Sequence, residues 1–371
     1  MKQSQNGTTA PRKKKTSKRI GFLMERAATR ENALQAIADV NAPRLKDNKT
    51  AQWVERTKED RAAELCELVK DFHPKPSRKF TRWDSTAGKF REINEPALWP
   101  DQYVHHMIVQ VLKPVLMRGM DYFCCGSVPK RGPHRAKNAI EKWLRNDPKG
   151  TKYAAEADVK KFYPSLSPRV VMRFLRRKIK DEAFLNLIWR IIRDGIKIGF
   201  YISQWLANAV LEPLDHFIRE RLKIRHYVRY IDNITLFGPN KKKLHKAIRE
   251  IMRFLAGMSL RLKENWQVYN TRKRMVDAVG YRMKRGLTLI RKKNLLRLKR
   301  QCTRARKRIA AHRRVAPRQA RGILSRAGQL KHCAGKTLYN KHVLPIRKIL
   351  IKVVTDAARE ERNKCLSMRS A

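Results

Sequence analysis

Acidic residues are scarce in this sequence. Its 371 residues hold 32 Asp and Glu against 87 Lys and Arg, a formal net charge of +55. That imbalance excludes a surface neutralised by its own ion pairs. Self-repulsion on this scale calls for a polyanion, and phosphate backbone is the obvious one. Cysteine is sparse as well. Cys66, Cys124, Cys125, Cys302, Cys333 and Cys365 form no Cys-x-x-Cys pair and have no His at zinc-ligand spacing. They read as reduced, packed thiols of a cytoplasmic protein. No apolar run approaches bilayer-spanning length, and the opening residues carry no apolar signal core, so no membrane partner is expected. No internal repeat is visible.

What is present suffices for a large core. A hydrophobic fraction of 42% over 371 residues is that of a folded chain of two or three lobes. Residues 1–19 read as a disordered basic arm. Residues 20–77 read as a helical extension, with Leu65, Leu68, Val69 and Phe72 at helical spacing. In residues 78–96 two extended runs flank Ser85 to Gly88, a hairpin with Lys89 and Arg91 on one face of its second strand. The planar fork of Arg91 and the point charge of Lys89 suit a triphosphate, although a solvated strand face is the plainer reading of Lys89 alone.

Residues 100–117 have a helical stripe of Tyr103, Met107, Val111 and Val115, with Pro100 in the first turn. His105 and His106 on it are expected to pack rather than to bind a metal. A basic, glycine-containing loop over 124–135 leads to a helix ending near Leu144. Residues 152–159 read as a strand closing on Asp158, and 169–193 as two helices. Ser203 is expected to cap a helix from Trp205 to about Leu222 that Pro213 kinks. Residues 241–256 form an amphipathic helix. Short strands are expected at 260–263, 266–269, 278–282 and 287–290, and dense basic helix from Lys292 onward.

The chain is organised around residues 225–237, RHYVRYIDNITLF. They read as strand, turn at Asp232-Asn233, and strand, a frame that holds a carboxylate at its tip. Asp158 is a second carboxylate at a strand end. Two such groups in basic surroundings point to two-metal phosphoryl transfer.

The ordered set carries a resemblance. Lys89-x-Arg91, Asp158 with Tyr163 five residues on, Gly199-x3-Ser203-Gln204, Tyr230-x-Asp232-Asn233 and Gly280-Tyr281 occur in sequence. Over about residues 78–300 the chain resembles the reverse transcriptases of the bacterial, non-viral kind. The resemblance implies an α+β right-hand polymerase. Its fingers would be 78–150 and its palm 151–290, an antiparallel sheet packed on helices with finger helices inserted at about 169–193. A basic helical thumb would be 291–371. It implies an RNA-directed DNA polymerase whose catalytic positions are Asp158, Asp232 and Asn233. Asp158, Val159 and Asp232 would hold two Mg2+ ions, with Mn2+ as the alternative. Lys89, Arg91, Tyr163, Gln204 and Lys263 would meet the dNTP. Among these, Tyr163 would exclude the 2′-hydroxyl and Lys263 would protonate pyrophosphate. Gly280 and Tyr281 would form the primer grip. The implied partners are template RNA, an RNA/DNA duplex, dNTPs and a small basic accessory protein.

Two departures stand out. Asn233 takes the place of the family's second Asp in this box and removes a negative charge. Lys197 replaces the Pro common before the glycine box. The run Ile198-Gly-Phe-Tyr-Ile-Ser203-Gln204 is similar to enzymes of diversity-generating retroelements, where group II intron and retron enzymes look like QGxxxSP. A chain that stops after a basic thumb, without maturase extension or zinc-type endonuclease, fits the same class. Three alternatives stay open. One is a catalytically weakened palm that only binds RNA; another is an antiphage or group II intron-type reverse transcriptase. The third is an RNA-dependent RNA polymerase, against which Tyr163 argues.

Overall fold

The computed structural model describes residues 18–84 and 88–367; all but the last two residues of the expected arm over 1–19, and the apex of the 78–96 hairpin, lie outside them. The architecture is α+β. It opens on four helices, α1 Leu23–Ala27, α2 Arg30–Asn41, α3 Lys49–Arg56 and α4 Lys58–Leu68. Asp181 ties them to the body. One of its oxygens accepts from the N–H groups of Leu23 (2.7 Å) and Met24 (2.9 Å), the other from Phe184 (3.0 Å), so a single carboxylate caps two helices.

Next come β1 Arg78–Asp84 and β2 Lys89–Glu95, an antiparallel pair, then α5 Tyr103–Met117 and α6 Pro133–Asn146. Here α5 is entered through a wide turn at Leu98–Gln102, so Pro100 precedes the helix instead of lying in its first turn. His105 is fully buried against Phe200, and His106 stacks on Tyr201 at 4.1 Å; both pack, as the sequence suggests.

The central sheet is four antiparallel strands in the order β4-β5-β3-β6: β3 Tyr153–Asp158, β4 Tyr227–Tyr230, β5 Asn233–Gly238 and β6 Gln267–Asn270. Between β3 and β4 run α7 Phe162–Ser165, α8 Pro168–Arg176, α9 Glu182–Ile192, α10 Tyr201–Val210 and α11 Glu212–His216. After β5, α12 Lys241–Ala256 lays Leu244, Ile248, Ile251 and Leu255 in the main core with Ala155 and Ala157 of β3. Alternation along the strand turns Ala154, Glu156 and Asp158 the other way. Ala154 packs with Ile140 and Leu144 of α6, while Glu156 and Asp158 face a cleft.

A second sheet follows: β7 Val276–Ala278, β8 Tyr281–Lys284 and β9 Leu287–Ile290. The chain closes with α13 Lys292–Ala310, α14 Pro317–Leu330, α15 Lys336–His342 and α16 Leu344–Ser367, packed around a core of their own that includes Leu298, Ile323 and Leu350. Among the described residues no helix is long and apolar enough to cross a membrane.

Several expectations need correction. The helix expected over 205–222 breaks at Leu211 into α10, α11 and a wide turn at Phe217–Arg221. Pro213 sits in the first turn of α11, where its missing N–H is not needed. Ser203 does not cap α10. That helix already begins at Tyr201, and the Ser203 hydroxyl is buried inside it. Residues 260–263 make one isolated bridge, Val159 to Leu262, instead of a strand. The run 278–282 is two strands, β7 and β8, joined by a two-residue turn at Val279-Gly280 with φ of 46° and 90°. Both turn residues have positive φ, the geometry whose twist matches a hairpin.

Candidate active site

The hairpin β4–β5 pairs Tyr230 with Asn233, so the two turn residues are Ile231 and Asp232, not Asp232 and Asn233 as the sequence suggests. Ile231 has φ of 58°, a left-handed conformation that is strained for a β-branched residue by about 1–3 kcal/mol. Gly126 lies beneath it. A Cβ there would run into the Ile231 side chain and backbone, so only glycine lets the loop approach. The loop is held to β4 by two backbone bonds, Cys125 N–H to Arg229 O (2.8 Å) and Arg229 N–H to Phe123 O (3.1 Å).

Three segments meet at the turn. Asp158 stands opposite Asn233 in the register of β3 and β5. The Val159 N–H donates to Asp232 O (3.1 Å), and the Lys263 N–H donates to Asp158 O (2.8 Å). Asp158 and Asp232, 74 positions apart in the chain, thus occupy neighbouring strand ends. The Lys263 ammonium lies 2.7 Å from Asp158 Oδ2, and Asn233 Nδ2 donates to Asp232 Oδ1 (3.0 Å). Burial raises the Asp232 carboxyl above its ordinary range, and the neighbouring Asp158 adds to the rise.

This donor set fits divalent cations. Two neighbouring carboxylates, one of them raised by burial with the other adding to the rise, call for positive charge, and a lysine ammonium already stands against one of them. Among the described residues no three His, Cys, Asp or Glu side chains converge as a metal cluster. A centre of one or two carboxylates completed by substrate phosphates suits Mg2+. Val159 belongs to the same knot through its backbone.

The other expected site residues come from several elements around this turn. Tyr163, on α7, feels both Asp232 and Arg91; burial pushes its phenol up to about 12, Asp232 adds to this and Arg91 opposes it. It is therefore a neutral ring beside the carboxylates. Arg91 is paired with Asp84 (2.7 Å), and Lys89 is exposed at the start of β2. Gln204 is exposed on α10. Its glycine box docks on the foot of the β1–β2 hairpin. There the Asn94 N–H donates to Ile198 O (2.7 Å), and a Cβ on Gly199 (φ 113°) would meet the Asn94 carbonyl. Gly280 lines the cleft, whereas Tyr281 is 2% exposed and its hydroxyl donates to Gln329 O of α14 (3.4 Å). Tyr281 is thus a packing residue beneath the Gly280 turn.

The cleft has a volume of about 880 Å³. Glu156, Asp158 and Asn233 line one wall, and Arg297, Ser325 and Arg326 of α13 and α14 line the other. Sequence reasoning missed Glu156. It accepts from the Asp277 N–H (2.9 Å) and from the Tyr269 hydroxyl, and burial raises its carboxyl. Its position two residues before Asp158 on a strand was the available signal. It also missed Arg229, whose guanidinium is wholly buried against Asp215 behind the turn.

A carboxylate at a strand end that lines a cation-bearing cleft, with a second carboxylate in the adjoining hairpin turn, is the arrangement of palm-type nucleotide polymerases. The family described as reverse transcriptase (RNA-dependent DNA polymerase) matches residues 74–283, more than half of the sequence, and the chain belongs to that family. It is 25% identical over 240 residues to Protein YkfC of Escherichia coli K12, covering 52% of this chain and 62% of that protein. It is 31% identical over 94 residues to the uncharacterized mitochondrial protein ymf11 of Marchantia polymorpha, covering 24% of this chain and 13% of that one. The chain thus spans less than two thirds of the curated relatives it matches. Among solved structures it is similar to a telomerase from Candida albicans in complex with a fragment of telomeric RNA. That match has 13% identity and a TM-score of 0.47, over 64% of this chain and 51% of that one.

Proposed function

We propose that the protein is an RNA-directed DNA polymerase that copies a template RNA into cDNA. The meeting of Asp158 and Asp232 on neighbouring strand ends carries this reading. Asp158 and Asp232, with Val159 beside them, would hold two divalent cations, Mg2+ or Mn2+, which would supply activation of a 3′-hydroxyl and charge neutralisation for a departing pyrophosphate. The rest is work for the chain's own side chains. Arg91 and Lys89 grip the triphosphate, with Gln204 on the facing helix. Tyr163 presents a neutral ring where a 2′-hydroxyl would sit. Lys263 leaves Asp158 and gives its proton to the leaving group. The arginines of α13 and α14 follow the backbone of an RNA/DNA duplex, with Gly280 at the primer end.

In this reading, residues 78–150 serve as fingers, 151–290 as palm and 291–371 as thumb. The test is extension of a DNA primer on an RNA template with dNTPs and Mg2+ or Mn2+. Extension that disappears in Asp232→Ala supports the reading. No extension by the unaltered chain with either metal favours a palm that only binds RNA, the alternative that Asn233 keeps in view.

The subclass rests on Ile198 to Gln204. Their pattern supports a retroelement of the diversity-generating type, with a small basic accessory protein as a further partner. Sequencing of the cDNA tests it: errors concentrated opposite template adenines are expected, and an even error spectrum argues for another subclass.

A further inference from the structure

Behind the catalytic turn lies a charged group with no role in the chemistry above. Arg229 of β4 and Asp215 of α11 are both completely inaccessible to solvent. A buried ion pair is weak evidence for stability, because desolvation offsets most of the attraction. Its presence at this point in the core therefore needs another reason.

The hydrogen bonds of Arg229 supply one. Nε and Nη2 each donate to a different oxygen of Asp215, at 2.7 Å and 2.7 Å, a bidentate fork. Nη2 also donates to the backbone carbonyl of Asn208 (3.2 Å). Nη1 donates to Asn208 Oδ1 (2.9 Å) and to the backbone carbonyl of Ile231 (3.0 Å). A guanidinium has five N–H donors, and these contacts use each of them. Asn208 continues the chain of contacts, because its Nδ2 donates to the carbonyl of Gly126, the residue under Ile231. The Tyr227 hydroxyl donates to Asp215 Oδ1 (2.5 Å), which fixes the carboxylate from the far side.

Resting on the polymerase reading of Asp232, we propose that Arg229, Asp215 and Asn208 are positioning residues. Together they form a buried strut that holds the strained Ile231 peptide, and so sets where the Asp232 carboxylate stands. The turn is gripped on both sides of Ile231: from its carbonyl by Arg229, and from below by the Gly126 loop that Asn208 secures. Ile231, β-branched with φ of 58°, holds a backbone conformation that needs an outside constraint. A lysine at position 229 would keep the charge but has three donors on one atom, and cannot reach Asp215, Asn208 and Ile231 at once.

The test compares Arg229→Lys and the paired apolar replacement Asp215→Leu/Arg229→Met with the unaltered chain. Amide hydrogen exchange is read over residues 156–160 and 228–236, alongside primer extension and primer–template affinity. The Val159 N–H is bonded to Asp232 O, so its exchange reports the seat of the turn directly. The strut predicts exchange about 10-fold faster or more at Val159 and in the turn in both variants, with the rest of β3 and β5 unchanged. It predicts kcat lower by roughly 100-fold, the usual effect of misplacing a reacting group by about 1 Å, with primer–template affinity within about twofold. The paired replacement removes the buried ion pair but leaves the Asn208 and Ile231 carbonyls and the Tyr227 hydroxyl without these partners, so its melting temperature should fall. Should it fail to fold, Arg229→Lys carries the comparison. Exchange at Val159 and the turn within about twofold of the unaltered chain overturns the strut, as does a rise spread evenly over the sheet. Loss of extension in the unaltered chain counts against the polymerase reading instead, and leaves the exchange result to decide the strut.

Discussion

The Lys263 ammonium sits 2.7 Å from Asp158 Oδ2, so the first carboxylate of the centre is met by a cation from the segment after α12. Lysine and a divalent ion are then competitors for one oxygen. Replacing Lys263 with Met should tighten Mn2+ binding to the nucleotide-free protein several-fold, read by electron paramagnetic resonance. If Lys263 is the general acid proposed above, the same change should slow primer extension by roughly 100-fold. Unaltered Mn2+ affinity would mean that the lysine does not stand in the cation's place.

Asn233 spends its amide on Asp232 instead of offering a third carboxylate. Asn233→Asp should therefore lower the Mg2+ concentration that gives half-maximal extension and raise the rate several-fold. With metal removed, the added like charge should lower the melting temperature. A rate that falls, with a higher Mg2+ requirement, would show that the amide itself is needed.

The reach of the sequence can be judged at this hairpin. Alternation located β4 and β5, and the strand ending at Asp158 was visible as an apolar run closing on a carboxylate. Pattern alone placed the turn one residue late, because Asp-Asn has better turn chemistry than Ile-Asp. The tertiary clamp on Ile231 overrides that preference. The same clamp was invisible for a second reason. Arg229 occupies a strand position where periodicity reads any charge as solvent-facing, and its partner Asp215 lies in what reads as one long helix kinked at Pro213. The fate of residues 266–269 was hidden too. Their β-character was legible, but whether they joined the next strands or β3 depends on a pairing that only the folded chain reveals.

Gly199 is required by its surroundings. With φ of 113° and the Asn94 carbonyl in the place of a Cβ, alanine should cost about 2–4 kcal/mol, combining backbone strain and overpacking. The contact joins the glycine box to the hairpin bearing Lys89 and Arg91, so the KM for dNTP should rise as well. Urea unfolding and steady-state extension measure the two effects. An unchanged unfolding midpoint would refute the docking.

His105 gives the protein an acid limit. Complete burial pushes its pKa from 6.5 down to about 3, with His106 adding to the effect. The unfolded chain therefore takes up a proton that the folded chain refuses. The stability owed to neutral His105 is fully present above about 6.5 and is lost as pH falls from there towards about 3. Both ring nitrogens lack a partner, so His105→Phe should fold well and flatten the fall in melting temperature across that window. His106, lowered to about 4, would retain part of it. Parallel curves for the variant and the unaltered chain would exclude His105 as the source.

The central claim is that Asp158 and Asp232 hold divalent metal together, and iron-directed backbone cleavage tests it most directly. Fe2+ replaces Mg2+ in the folded protein, ascorbate and peroxide are added, and the cut sites are mapped. The expected result is two sets of cuts, near residues 158 and 232, both suppressed by excess Mg2+ and both absent in Asp158→Ala. Cuts at only one of the two positions, or at neither, would contradict the account.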